Sequence, residues 1–171
     1  MITIVKATND DFQLLAGVAR QTFIESHGHS GPAEDIHNYI QEKFREEACR
    51  EELNDPNNIY HFIYYDQQLA GYSKIIFDAV HPAILSKKVT KLERLYLLAN
   101  FYSLKLGYDL IQFNIELSKK SGQEGMWLYV WKENERAFRF YTKAGFTIIG
   151  SYDFKISPTH ANPNYHLLLI Y

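Results

Sequence analysis

The sequence predicts an α/β (α+β) protein, with a mixed, mostly antiparallel sheet of seven strands flanked by helices. Three observations carry this. Seven short runs are rich in β-branched and aromatic residues and are bounded by turn residues. Apolar residues recur at helical spacing between some of them, over Phe12, Leu15, Val18, Ala19 and Phe23 and again over Leu106, Leu110, Ile111 and Ile115. A strand, a helix and a further strand follow one another in mid-chain, and that crossover places one parallel pair inside an otherwise antiparallel sheet.

Ile2 to Val5 is the first strand, and residues 9 to 26 form a helix that starts near Thr8 or Asn9. His27 to Pro32 is a Gly- and Pro-containing loop. A polar helical stretch follows, broken near the acid-rich residues 46 to 54 and closed by Asn54-Asp55-Pro56. Ile59 to Tyr65 and Leu69 to Phe77 read as strands joined by Asp66-Gln67-Gln68. Val89 to Leu98 is a strand, Gly107 to Lys120 a helix stopped by Gly122, and Met126 to Trp131 a strand. Asn134 to Lys143 is a short helix ended by Gly145. Two strands, Phe146 to Phe154 and Tyr165 to Tyr171, finish the chain around a turn-rich segment, 157 to 163.

The chain has 171 residues, 46% hydrophobic and 15% aromatic, which suits one packed domain, 1–171. A formal charge of -2 gives no field to draw nucleic acid or an anionic membrane. The single cysteine, Cys49, excludes an internal disulfide framework and fits a reducing compartment. The opening residues lack the charged and long apolar regions of a signal peptide, and no apolar run approaches the ~18 residues of a membrane span. The expectation is a soluble, cytoplasmic protein.

Two segments carry chemistry. In Val89 to Leu110 a strand runs through a short loop into a helix, whose first N–H groups lack partners and can hold an anion. In Asn134 to Phe146, Asn134 stands at a helix start with Ala137, Phe138 and Tyr141 on one stripe. Each alone is also what an ordinary amphipathic element looks like.

Together, the two resemble the acetyl-CoA-binding half of the GCN5-related N-acetyltransferase (GNAT) family. The resemblance runs from Lys91 to Gly150. It rests on Asn-x-x-Ala-x-x-Phe-Tyr-x-Lys-x-Gly-Phe, residues 134 to 146, and on the strand Leu92-Glu93-Arg94-Leu95-Tyr96-Leu97. The first helix and Asp55-Pro56-Asn57 are closest to the polyamine (spermidine/spermine-like) branch. The resemblance implies the GNAT fold, an acceptor-side half (1–88) and an acetyl-CoA-binding half (89–171). It implies transfer of acetyl to a primary amine by direct attack, with a small-molecule amine as partner. Homodimers occur in the family, and the sequence marks no partner surface.

By the same resemblance, backbone groups of Leu95, Tyr96 and Leu97 would meet the pantetheine arm, and the N–H groups of Ser103, Leu104, Lys105, Leu106, Gly107 and Tyr108 the pyrophosphate. Asn134 would hydrogen-bond the cofactor's amide arm, with Ala137 and Lys143 along the same helix. Tyr141 would give its proton to the departing thiolate, which suits a phenol of ordinary pKa about 10.

Two departures stand out. Only Gly107 survives of the family's glycine-rich loop, and Lys105 stands where a Gly normally lets the backbone close. Lys91 replaces the family's early strand glutamate, so the candidate base is Glu93, two residues on and on the same face. Glu93 is equally read as an exposed carboxylate paired with Lys91 or Arg94. Both departures also suit a CoA-binding or sensing module with little transfer.

Three features are set aside. His27, His29 and His37 lack the Cys or carboxylate partners of a metal site, so no metal is expected. Cys49 reads as a partly buried thiol. The acidic residues Glu46, Glu47, Glu51 and Glu52 read as a solvated helix face, or as a rim that would attract a polyamine.

Overall fold

A computed structural model describes residues 1–171. Seven strands form one sheet: β1 (Ile2–Lys6), β2 (Ile59–Tyr65), β3 (Gln68–Ile76), β4 (Val89–Leu97), β5 (Gly125–Trp131), β6 (Thr147–Ser157) and β7 (His160–Ile170), in the spatial order β1-β2-β3-β4-β5-β7-β6. Only β4 and β5 run parallel, across the predicted crossover helix. Five helices cover the sheet: α1 (Phe12–His27), α2 (Ala33–Lys43), α3 (Glu46–Asn54), α4 (Leu106–Lys120) and α5 (Glu135–Lys143).

The elements follow from local chemistry. Thr8 donates from its N–H and hydroxyl to the Asp11 carboxylate at 2.7 and 3.0 Å, which fixes the turn that leads into α1. The polar stretch after α1 divides into two helices at Phe44-Arg45. Its sparse apolar residues, Ile36, Ile40, Phe44, Cys49 and Leu53, are all buried with Leu15, Ala19 and Phe23 of α1 against one face of the sheet. On the other face α4 packs Leu110, Ile111 and Ile115, and α5 packs Tyr141. No helix is long and apolar enough to cross a membrane.

Most element ends shift by a few residues, and two connections differ from expectation in kind. The β2–β3 loop is a two-residue turn, Asp66-Gln67, both in the left-handed region, and Gln68 already belongs to β3. The segment 157–163 is not a long turn: Ser157 Oγ accepts the N–H of His160 at 3.1 Å, and β7 starts there. Pro163 sits inside β7 because its carbonyl points past the end of β5, to the N–H of Lys132 at 2.9 Å. Its missing N–H would point the same way, where no ladder partner stands.

Candidate active site

The parallel pair is short. Val89, Thr90 and Lys91 pair with Gly125, Met126 and Trp127, and beyond Lys91 the strands part. The backbone groups of β4 that face β5 therefore lose their ladder partners from Glu93 onward. A cleft of about 960 Å³ opens there.

One arm of the cleft lies between β4, β5 and α5. Leu95, Leu97, Leu128, Val130, Ala137 and Phe140 make its apolar wall. At its outer end Lys105, Arg136 and Lys143 stand beside the start of α4. Lys105 caps that helix in the left-handed conformation (φ +59°), the glycine-like geometry that the sequence pattern marks there. The Arg136 guanidinium lies 3.5 Å from the Tyr102 ring centroid. Sequence reasoning passed over Arg136, although it sits inside the Asn134–Phe146 pattern.

Tyr141 lines the cleft where its arms meet. Phe140 and Phe146 flank its ring, with centroids 5.1 and 5.8 Å away. Burial, then the neighbouring Tyr96, pushes its phenol above the ordinary range, so the hydroxyl stays protonated at working pH. Asn134 caps α5, its Oδ1 accepting the N–H of Ala137 at 3.1 Å. That leaves its amide N–H groups as the part free for a ligand.

The other arm lies over the opposite sheet face, under α1, α2 and α3. Here β4 has a bulge: Lys74 pairs with Arg94 and Ile75 with Leu92, so Glu93 has no direct partner on β3. The alternation of faces shifts at that point. Lys91 and Glu93 face this arm as expected, and so do Arg94 and Tyr96. Glu93 forms ion pairs with Lys74 and, at 3.4 Å, with Lys91. Burial acts to raise its carboxyl, but Lys74, Lys91 and Arg94 outweigh it and hold the pKa below the usual value. Lys74 also pairs with Glu52 at 2.6 Å. His27 faces Trp131 and Tyr96, and burial, then His29, lowers its pKa to about 4. Asn162 and Asn164 reach the same arm from β7.

Of the residues singled out from the sequence, Glu93, Leu95, Tyr96, Leu97, Lys105, Gly107, Tyr108, Asn134, Ala137, Tyr141 and Lys143 all line this one cleft. Ser103, Leu104 and Leu106 do not. Ser103 and Leu104 are exposed in a 3-10 turn, and Leu106 is fully buried against Ile63 and Ala70. Lys74, Arg94, Asn162 and Asn164 belong to the cleft and carry no sequence signal as site residues; His27, which the sequence offers only as a metal ligand, lines it too.

The profile of the acetyltransferase (GNAT) family matches residues 20–146. The chain belongs to this family. Two relatives are similar over most of their length. An uncharacterised N-acetyltransferase of the pepI 3' region of Lactobacillus delbrueckii subsp. lactis is 27% identical over 146 residues, 85% of this chain and 84% of its own. The spermidine N(1)-acetyltransferase of Thermoplasma acidophilum is 27% identical over 151 residues, 86% of this chain and 89% of its own. Among solved structures, the PaiA N-acetyltransferase from Thermoplasma acidophilum in complex with coenzyme A superimposes with a TM-score of 0.78 at 24% identity, covering 100% of this chain and 99% of that one. The GNAT fold is thus shared over the whole described length.

Proposed function

We propose that this GNAT protein transfers acetyl from acetyl-CoA to a primary amine of a small molecule, by direct attack within the cleft. The observation that carries the reading is the parting of β4 from β5 with the protonated Tyr141 hydroxyl where the two arms meet. Acetyl-CoA fits the arm beside α5: an apolar wall leads to three cations, Lys105, Arg136 and Lys143, at a helix start. Bound there, it supplies the thioester carbonyl that the amine attacks and a thiolate leaving group.

The chain's own residues do the rest. Backbone groups of Glu93 to Leu97 that have lost β5 are open to the pantetheine amides. Amide N–H groups of Asn134 hold the same arm. Tyr141 donates its proton on the cleft axis, and the fixed geometry of the two arms brings the reactants together. Glu93 takes the amine's proton only through an exchange within its ion pairs with Lys74 and Lys91, or an ordered water takes it instead.

Tyr141→Phe is expected to lower kcat at least about a hundredfold, the usual share of a positioned proton donor, with acetyl-CoA affinity nearly unchanged. Steady-state CoA release and isothermal titration check the two halves. Unchanged turnover across the pH range removes Tyr141 from the chemistry.

One observation favours a second reading, a CoA-binding module with little transfer: the only strand carboxylate near the cleft axis, Glu93, is already held by two lysines. Thermal stabilisation by acetyl-CoA without CoA release on any amine would select it.

A further inference from the structure

We infer that the acceptor is an amino carboxylate, an amine that bears a carboxylate bound by Arg94, and not a polycation. The inference rests on the transferase reading for the amine, and on the pocket alone for the carboxylate.

The argument is one of charge and hydrogen-bond supply. Two carboxylates line the acceptor arm, Glu52 and Glu93, and both are occupied from within the protein. Glu52 takes Lys74 at 2.6 Å and the Tyr60 hydroxyl at 2.7 Å. Glu93 takes Lys74 and Lys91. The side chain of Lys74 is only 4% exposed, so its ammonium is a fixed part of the wall. An incoming cationic tail would find no free carboxylate to replace its water. The acidic residues before it on α3 do not help: Glu46, Glu47 and Glu51 are outside the cleft.

Arg94 is the reverse case. It lines the same arm and forms no ion pair; with Lys43 paired to Glu42 at 3.5 Å, the trio Lys74, Lys91 and Arg94 leaves one positive charge in excess of Glu52 and Glu93. One hydrogen bond, to the Tyr60 hydroxyl at 3.0 Å, uses one of its five donors. The Phe44 ring, 4.9 Å from the guanidinium carbon, supports it. Such a group, held over an aromatic ring with its remaining donors unmet, suits the two oxygens of a carboxylate.

Two further polar groups point to a ligand. Asn162 and Asn164 are 4% and 6% exposed, and both line the cleft. Asn162 Nδ2 and Asn164 Oδ1 have no hydrogen-bond partner in the protein. They offer one donor for the acid and one acceptor for the amine. A ligand carrying both functions satisfies the two at once; an alkyl polyamine leaves the Asn162 donor and Arg94 unmet.

The test compares matched pairs that differ only by the carboxylate: lysine against cadaverine, and ornithine against putrescine, with spermidine as the polycation. CoA release at saturating acetyl-CoA is read as kcat/KM, and binding to the CoA-loaded protein by calorimetry. Each acid is expected to exceed its decarboxylated partner at least about tenfold, the scale of a hydrogen-bonded charged pair. Arg94→Lys keeps the charge and loses the fork. It is expected to erase most of that preference while acetyl-CoA still raises the melting temperature as before, which shows that the variant is folded. The comparison of pairs on the unaltered protein needs no variant.

A preference for spermidine or the diamines, or none in either readout, overturns the inference. So does an acid preference that Arg94→Lys leaves intact. Preferential calorimetric binding of the acids without CoA release upholds the carboxylate site and removes only the transferase reading.

Discussion

Lys105 shows how much one residue can trade. Its backbone sits at φ +59°, a conformation that costs a side-chain-bearing residue roughly 1–2 kcal/mol and a glycine almost nothing. The same residue places an ammonium at the cleft's outer end, beside Arg136 and Lys143. Lys105→Gly should therefore leave stability within about 1 kcal/mol of the original, or slightly above it, because relief of strain is offset by the glycine's own chain entropy. Acetyl-CoA affinity should fall severalfold, and its dependence on salt should flatten. Thermal melts and titrations at two ionic strengths check both, and an unchanged salt slope would show that Lys105 does not meet the phosphates. At this scale the α5 side of the cleft was legible in sequence, since Asn134, Ala137, Tyr141 and Lys143 lie along one short helix and its cap with fixed spacing. The side under α1, α2 and α3 was not. Lys74, Arg94, Asn162 and Asn164 come from three strands, and only the fold brings them together.

At the scale of elements, the bulge at Glu93 explains why period-two reading stopped short. Alternation from Leu92 puts Arg94 on the α4 face; one extra residue puts it under α1 and α2 instead, within reach of Tyr60 and Phe44. The bulge has no composition signal: alternation places Glu93 on the face of Lys91, where it lies, and places Arg94 on the opposite face, where it does not. Element order, by contrast, followed from turn residues and periodicity, except over the turn-rich segment 157 to 163, which is a hairpin and not a long turn. The β2–β3 hairpin carries a prediction of its own. Asp66 and Gln67 both adopt positive φ (46° and 67°), the arrangement that best fits strand twist and that Asp-Gly pairs prefer. Gln67→Gly is expected to raise stability by about 0.5–1 kcal/mol in urea unfolding, with kcat/KM unchanged because the turn lies away from the cleft. A lower midpoint would mean that Gln67 contributes something besides its backbone.

For the whole molecule, the histidines set how stability responds to acid. His27, His61 and His166 each have a pKa lowered to about 4, first by burial and then by a neighbouring cation or imidazole: His29, Lys6 and His81 respectively. They sit in different places, in the cleft beside Trp131, against Phe113 under α4, and in the Trp127–Tyr129 cluster on the far strands. All are neutral in the fold, His61 and His166 buried and His27 half-buried, and all are free to protonate near pH 6.5 once it opens. Between pH 6.5 and about 4 the unfolded chain therefore binds more protons than the folded one. The sign follows: stability is complete above pH 6.5 and is lost progressively as pH falls toward 4. With three such groups, unfolding near pH 5 should take up close to three protons, fewer to the extent that solvent reaches His61 and His166. Urea midpoints measured from pH 8 to 4 should be level down to about 6.5 and then decline steeply at constant m-value. His61→Gln, remote from the cleft, should reduce that slope by about one proton and leave CoA release at pH 7.5 untouched. A midpoint that stays level to pH 5 would mean that the imidazoles are charged or hydrated in the fold, and that its two faces are less dry than their packing implies.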